Sequence, residues 1–324
     1  GTGSDVGSVS LTTDESLTVY AVGFDSEGNY REDVSVSWEV TGTLDSPSPS
    51  SGTSTTLSPS IASTSGTITA NDGSGHTDDT GMITVSAGAL SYIVIRDGAN
   101  GGGSVVGDWT MTTDDELTVY AAGYDSEDNF IRDVSVSWGV TGTLDGVSPS
   151  IGSSTTLSPS TSGTSGTITA DDGNGHTDAT GTIAVGVGAL DHIVIRSASG
   201  GGGVEVNNWT MTTDNELTVY AAGYDGDGNY IGDQPVTWSS SGLTPSVSGS
   251  DTTSVTFSPT ATGSGYIHAD DGSGHTDDTG TITVNVGVLS YIRIQDAPGG
   301  TGSDVGSVSL TTDESLTVYA VGFD

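Results

Sequence analysis

Val34-Ser35-Val36-Ser37-Trp38-Glu39-Val40 puts an apolar residue at every second position. A strand turns successive side chains to opposite faces, so Val34, Val36, Trp38 and Val40 share one face while Ser35, Ser37 and Glu39 share the other. The stretch predicts a half-buried strand. The same alternation returns in Leu17 to Gly23, Gly66 to Ala70, Met82 to Val85 and Tyr92 to Arg96, each bounded by Gly, Asp, Asn, Ser or Pro. Apolar residues at helical spacing are missing throughout. About five to seven short strands in every hundred residues predict an all-β fold, an antiparallel sandwich whose sheets bury their inner faces against each other.

The pattern is then repeated. Leu17-Thr18-Val19-Tyr20-Ala21 comes back as Leu117 to Ala121, Leu217 to Ala221 and Leu316 to Ala320, and Trp38 comes back as Trp138 and Trp238. Gly75-His76-Thr77-Asp78 returns as Gly175 to Asp178 and Gly274 to Asp277. A period near 100 residues is too long for a solenoid unit, so each repeat is expected to be a domain with its own core. Residues 1 to 25 and 300 to 324 are identical, which gives a superrepeat of 299 residues. The expected division is 1–88, a repeat without its opening strand; 89–188 and 189–288, complete repeats; and 289–324, the opening two strands of a further repeat. Two explanations of the duplicated segment stand side by side: a window onto a continuous polymer, or subunits that complete one another head to tail by strand donation. Only Ser86 to Ala89 separate the last strand of the first repeat from the next opening strand, a linker too short to be a loose tether. The domains are therefore expected end to end, as a rod.

Composition narrows the function. There are 42 Asp plus Glu against five Arg and no Lys, a formal charge of −37, which repels nucleic-acid phosphates and anionic lipid. No apolar run is long enough to span a membrane. The absence of Cys removes disulfides and thiolate chemistry, and the absence of Lys removes Lys-to-Asn isopeptide staples. Hydrophobic residues make up 32% of the chain, so the cores are expected to be small and joined by many turns.

The run L-T-V-Y-A-x-G-[FY]-D-x-[ED]-x-N-[FY], followed in the first two repeats by D-V-x-V-x-W and G-T-I-T-A-x-D-G-x-G-H-T-D, resembles the bacterial Ig-like domains that occur in tandem in large surface and secreted proteins, including adhesins of the invasin and intimin type. The resemblance covers essentially the whole chain. It implies Cys-free tandem Ig-like sandwiches used as stalk or fibre modules, with Trp38, Trp138 and Trp238 at the core-strand position of immunoglobulins. Those Trp residues, together with Tyr20, Tyr120 and Tyr220, are expected to carry the architecture.

One constellation suggests a ligand. Asp25, Glu27 and Asn29, then Asp125, Glu127 and Asn129, then Asp225, Asp227 and Asn229 place oxygen donors at i, i+2 and i+4 of a hairpin, with Asp33, Asp133 and Asp233 shortly after. A curled loop of this kind suits Ca²⁺, which takes six to eight oxygens at about 2.3–2.6 Å. The same residues are also those that tight hairpins prefer without any metal. The loop Asn71 to Asp79 and its copies carry one His each, too few nitrogen donors for a transition-metal site. The sequon Asn208-Trp209-Thr210 is a candidate glycan acceptor. Catalysis finds no support: every potential catalytic loop is present in triplicate, and GxxxxGK and HExxH are absent.

The expectation is a non-enzymatic structural component of an extracellular filament or cell-surface stalk, a head-to-tail homopolymer with Ca²⁺ as a stiffening cation. The second reading is an adhesin that grips carbohydrate or protein through the loops that vary between repeats, Ser46 to Ser51, Gly146 to Ile151 and Pro245 to Ser250.

Overall fold

A computed structural model describes residues 3–324, and these form strands, turns and loops with no helix. No helix is therefore long and apolar enough to cross a membrane. The chain divides into two compact units, residues 1–186 and 187–324.

In the first unit, residues 92–186 show the sandwich in full. The long strand Leu117–Tyr124 is the spine of one sheet. Tyr92–Arg96 runs antiparallel along its second half, from Tyr92 opposite Tyr124 to Arg96 opposite Tyr120, and Ser154–Leu157 pairs with its first half. Phe130–Asp133 closes the other edge. The facing sheet has the order Ile151–Gly152, Val136–Val140, Ile168–Asp171, Thr177–Ala179. Trp109–Thr112 lies parallel to Ile183–Gly186, which also pairs with Ser165–Gly166. In the second unit the corresponding strand, Gly263–Asp270, is unbroken and joins Trp209–Thr212, Ile282–Asn285, Val236–Ser241 and Gly249–Thr252 into one sheet. An early strand parallel to the last strand, in a sandwich otherwise antiparallel, is the immunoglobulin arrangement.

Alternation sets the core. Val136 and Trp138 are buried and Ser137 is exposed, while Leu117, Val119 and Ala121 face inward from the opposite sheet. Three hydrophobic clusters result, each around one Trp and drawn from Leu11 to Val85, Ile93 to Val185 and Ile193 to Val284. The indole N–H of Trp138 donates to Gly152 O at 2.9 Å, as Trp38 does to Gly52 O and Trp238 to Thr252 O. The ring is thus buried with its polar atom satisfied, and no disulfide is needed to seat it. The close approach of Gly166 to the Thr141 carbonyl leaves no room for a Cβ, so the bend between Ser165–Gly166 and Ile168–Asp171 requires glycine.

The Tyr expectation is corrected. Val19 and Ala21 point into the core, so the residue between them points out: Tyr20 is 67% exposed, and Tyr120 and Tyr220 lie on the same outward face, partly covered.

Two places depart from the complete pattern. In residues 3–86 the spine is interrupted: Leu17–Tyr20 pairs only with Ser54–Leu57, and Val22–Phe24 only with Tyr30–Asp33. Among the described residues no strand pairs with Leu17–Tyr20 or Val22–Phe24 as Tyr92–Arg96 pairs with Leu117–Tyr124. In the second unit, Tyr291–Gln295 pairs with Tyr319–Phe323 in the register of the complete domains, Tyr291 opposite Phe323 and Gln295 opposite Tyr319, and the pair stands as a two-stranded sheet.

Trp238 is 1% exposed, and Trp238→Ala is expected to lower stability by about 3–5 kcal/mol, the usual cost of emptying a large core site. A denaturant titration checks it.

Candidate functional site: an acidic joint between domains

The acidic hairpin is built by its first residue. Asp125 N donates to Asn129 O and Asp128 N to Asp125 O, which closes the turn. Asp125 Oδ1 then accepts Glu127 N at 3.1 Å, Asn129 N at 2.8 Å and Asn129 Nδ2 at 3.1 Å. An aspartate that takes the N–H groups two and four residues ahead is standard turn chemistry. The other oxygen faces out of the domain. Asp125 Oδ2 accepts Thr13 Oγ1 at 2.6 Å, from the end of strand Val9–Thr12 in the preceding domain, and Gly88 N at 3.0 Å, from the linker.

The joint has further bonds on either side. Ala89 N donates to Asp14 Oδ2 at 2.6 Å, so the linker is held from both domains. Asn129 Oδ1 accepts Ala62 N at 2.9 Å and Asn129 Nδ2 donates to Ser60 O at 3.0 Å. A Cβ on Gly88 would meet the Asp14 carboxylate at 2.5 Å and would have to displace it from Ala89 N. Asp125 is fully buried and Thr13 is 7% exposed. Burial pushes the Asp125 carboxyl up, but donation from Thr13, Gly88 and Asn129 outweighs it and brings the pKa down to about 2.

The second unit repeats the geometry. Asp225 Oδ1 accepts Asp227 N and Asn229 N, and Asp225 Oδ2 accepts Gly188 N at 3.0 Å. Asp324, one period further, accepts Thr213 Oγ1 and Gly287 N, and Val288 N donates to Asp214 Oδ2 at 2.6 Å. The hydroxyl of Thr213 and the Gly287 amide hold the Asp324 carboxyl below its ordinary value. Asp25 makes the same turn through Glu27 N, Asn29 N and Asn29 Nδ2. Its Oδ2 accepts only Asn29 Nδ2 among the described residues.

The residues expected to hold Ca²⁺, four to each hairpin, are not gathered into a cation shell in any of the three loops. Asp25, Asp125 and Asp225 hold N–H donors of their own loops, and Asn29, Asn129 and Asn229 turn their amide nitrogen toward that carboxylate. Glu127 accepts Ser126 Oγ. Asp133 Oδ2 accepts Asn100 N and Asp233 Oδ2 accepts Gly200 N, so these two Asp side chains secure the Gly-rich loop beside them, whereas Asp33 accepts Tyr30 OH. Asp133 Oδ1 is buried without a partner among the described residues, one oxygen rather than a shell. Among those residues no group of three or more His, Asp or Glu side chains is placed to hold a metal. Oxygens committed to N–H donors do not fit the six-to-eight-oxygen cage of Ca²⁺.

The His-containing loop closes on itself. Asp72 Oδ2 meets His76 Nδ1 at 2.7 Å, and Asp172–His176 and Asp271–His275 repeat it. The His76 contact, with the Ser74 and His76 amides, lowers the Asp72 carboxyl to about 2. The functional part of this loop lies two residues on: Asp178 Oδ2 accepts Ile95 N at 2.6 Å and Asp277 Oδ2 accepts Ile195 N at 2.6 Å, so each Asp fastens the opening strand of its domain. Asp78 holds no such donor among the described residues. His192 occupies the place of Tyr92 and stacks on Tyr224, as Tyr92 stacks on Tyr124. Asn208, the sequon residue, is exposed and accepts Thr281 N.

Sequence reasoning passed over Thr13, Asp14 and Gly88. The signal was present, since Thr-Thr-Asp at 12–14 returns at 112–114, 212–214 and 311–313, and Gly88 returns as Gly188 and Gly287.

No family model matches the chain, and no curated protein matches it. Several solved structures of multidomain proteins are similar to this chain. One is FdeC, an adhesin of Escherichia coli: 15% identity, 87% of this chain and 93% of that one, TM-score 0.41. Protocadherin γB7 domains EC3–6 give 14% identity over 98% and 82% with a TM-score of 0.36, and titin domains I67–I69 give 9% over 87% and 96% with 0.30.

Asp125→Ala removes the turn bonds and the joint, whereas Asp25→Ala removes the turn bonds alone. The first is expected to cost about 3–6 kcal/mol more than the second, the worth of two hydrogen bonds to a charged acceptor, with faster hydrogen exchange at the Gly88 amide. The folded-state pKa of Asp125 lies below the ordinary 3.8, so its contribution is complete above about pH 4 and is lost as pH falls toward 2, an effect on the order of 2 kcal/mol. Gly88 exchange followed down that pH window checks the sign.

Proposed function

We propose that the chain is a structural segment of an extracellular filament or cell-surface stalk, in which Ig-like sandwiches follow one another head to tail with the 299-residue superrepeat. The observation that supports this most is the repeated joint. Asp125 with Thr13 and Gly88, and Asp324 with Thr213 and Gly287, tie a domain end and a linker to the same Asp position of the next repeat by the same bonds. A repeated module with a repeated connector serves reach and stiffness; a ligand site would call for one joint unlike the others. An acidic, Cys-free and Lys-free surface suits exposure to water and salt outside the cell.

The adhesin reading rests on a different observation. In the loop that varies between repeats, Ile151 is 68% exposed, a side chain available to a partner. Binding to carbohydrate or to a protein surface that Ile151→Ser abolishes would favour it.

Small-angle scattering tests the structural reading. The native chain is expected to give the profile of domains held with little freedom, and Asp125→Ala the broader distribution of a flexible pair; equal flexibility in both would overturn it. The Ca²⁺ part of the reading has its own measurement. With the loop carboxylates occupied by N–H donors, the melting temperature is expected to be the same with and without EDTA, and a drop in EDTA would restore the cation.

A further inference from the structure

We propose that Asn174 is a self-modifying position: the amide nitrogen of Gly175 closes on its side chain, ammonia leaves, and water reopens the ring to an aspartyl or isoaspartyl residue in the His-containing loop.

The step balances without enzyme or cofactor. Gly175 N attacks Asn174 Cγ, the new C–N bond closes a succinimide, and the Cγ–Nδ2 bond breaks, the departing nitrogen taking the amide proton as ammonia. Water then adds to either ring carbonyl. Opening at the side-chain carbonyl gives aspartate, and opening at the main-chain carbonyl routes the backbone through the side chain as isoaspartate.

An asparagine followed by glycine, whose bare amide crowds the attack least, occurs at Asn100-Gly101 and at Asn174-Gly175, and the structure separates the two. Asn174 and Gly175 are both exposed, and a Cβ built on Gly175, at φ +106°, would meet nothing within 4 Å. The hydrogen bonds of the loop pass this nitrogen by. Gly173 N donates to Asp171 Oδ1, and Asn174 N and His176 N donate to Asp172 Oδ1, whereas Gly175 N meets no acceptor among the described residues. The side-chain amide of Asn174 donates only over long distances, 3.3 Å to Asp172 O and 3.4 Å to Asp172 Oδ2. Asn100 is held on every side instead. Its N–H rests on Asp133 Oδ2, the Phe130 ring lies 2.7 Å from where a Cβ of Gly101 would stand, and Arg96 holds the carbonyls of Gly102 and Gly103.

The Asp-Gly pairs of the same loops are protected by their own bonds. Gly73 N, Gly173 N and Gly272 N each donate to the side chain two residues before. Contact with the loop His and amides keeps the Asp72, Asp172 and Asp271 carboxyls well below the usual range, so they stay ionised and resist a nucleophile. Ser74 and Ser273 occupy the place of Asn174 in the other copies of the loop. Isoaspartate would lengthen the main chain by one methylene between Asn174 and His176, whose N–H groups share one oxygen of Asp172. Asp178, which fastens Ile95 N, follows directly. The opening strand of this domain is therefore expected to loosen as the protein ages.

The folded full-length chain is held in warm, mildly alkaline buffer, and the peptides bearing residues 100 and 174 are followed by mass spectrometry, with an isoaspartate-specific methyltransferase scoring the rearranged product. Amide loss is expected several-fold faster at Asn174 than at Asn100, and Asn174→Ser, the residue of the other copies, is expected to abolish the isoaspartate signal from this loop. In urea the two rates are expected to converge. An intact Asn174, or loss at Asn100 as fast in the folded chain, overturns the proposal; a ratio that persists in urea overturns it too, because the selectivity would then belong to the local sequence and not to the fold. Ile95 amide exchange is expected to rise with isoaspartate content, and exchange that stays constant removes the coupling to the opening strand.

Discussion

A single carboxylate shared between a hairpin and its neighbour is what each joint depends on. Asp125 Oδ1 closes its own hairpin while Oδ2 reaches the preceding domain and the linker. The turn and the joint share one side chain: Asn129 and the loop amides hold the carboxylate in the orientation in which Thr13 and Gly88 donate to it. A fixed acceptor loses little rotamer freedom on docking, which makes each interdomain hydrogen bond worth more than one to a free surface side chain. The short linker reinforces this, since Gly88 and Ala89 sit between Asp125 and Asp14 with no slack.

The fold was legible because its signals are local. Alternation in Val34 to Val40 gives a strand, Val36–Val40, whose inward Val36 and Trp38 are buried with Val34 and Val40 packed partly buried beside them, and the recurrence of Trp38 at 138 and 238 gives three cores. The period of two also contained the answer for Tyr20, which stands between inward-facing Val19 and Ala21; reading it as an architectural residue gave its size more weight than its parity. The site was less legible, for a physical reason. Asp, Gly and Asn in a hairpin spell a turn, a cation loop or a docking acceptor in the same letters, and the partner that decides between them, Thr13, lies 112 residues from Asp125. Nothing within the loop reports such a partner. The repeat of Thr-Thr-Asp and of Gly88 was visible, but only the strand pairing places those residues beside the hairpin.

The same partners explain how so acidic a chain folds without lysine. Among the described residues the one Arg–carboxylate ion pair is Arg293 with Asp304, at 2.8 Å. Arg96 and Arg196 donate instead to backbone carbonyls of the Gly-rich loop, Gly102 and Gly103 or Gly202 and Gly203. The carboxylates, for their part, are met chiefly by amides and hydroxyls: Asp125 by Thr13 and Gly88, Asp178 by Ile95, Asp133 by Asn100, Asp145 by Ser160 and Thr161. Negative charge is thus spent on fastening loops and strands, one carboxylate to a junction. A neutral donor has an advantage here over a cation. It is supplied by the backbone at a fixed place, it survives high salt that would screen an exposed ion pair, and it leaves the remaining charge free to keep neighbouring molecules apart except where donors and acceptors match.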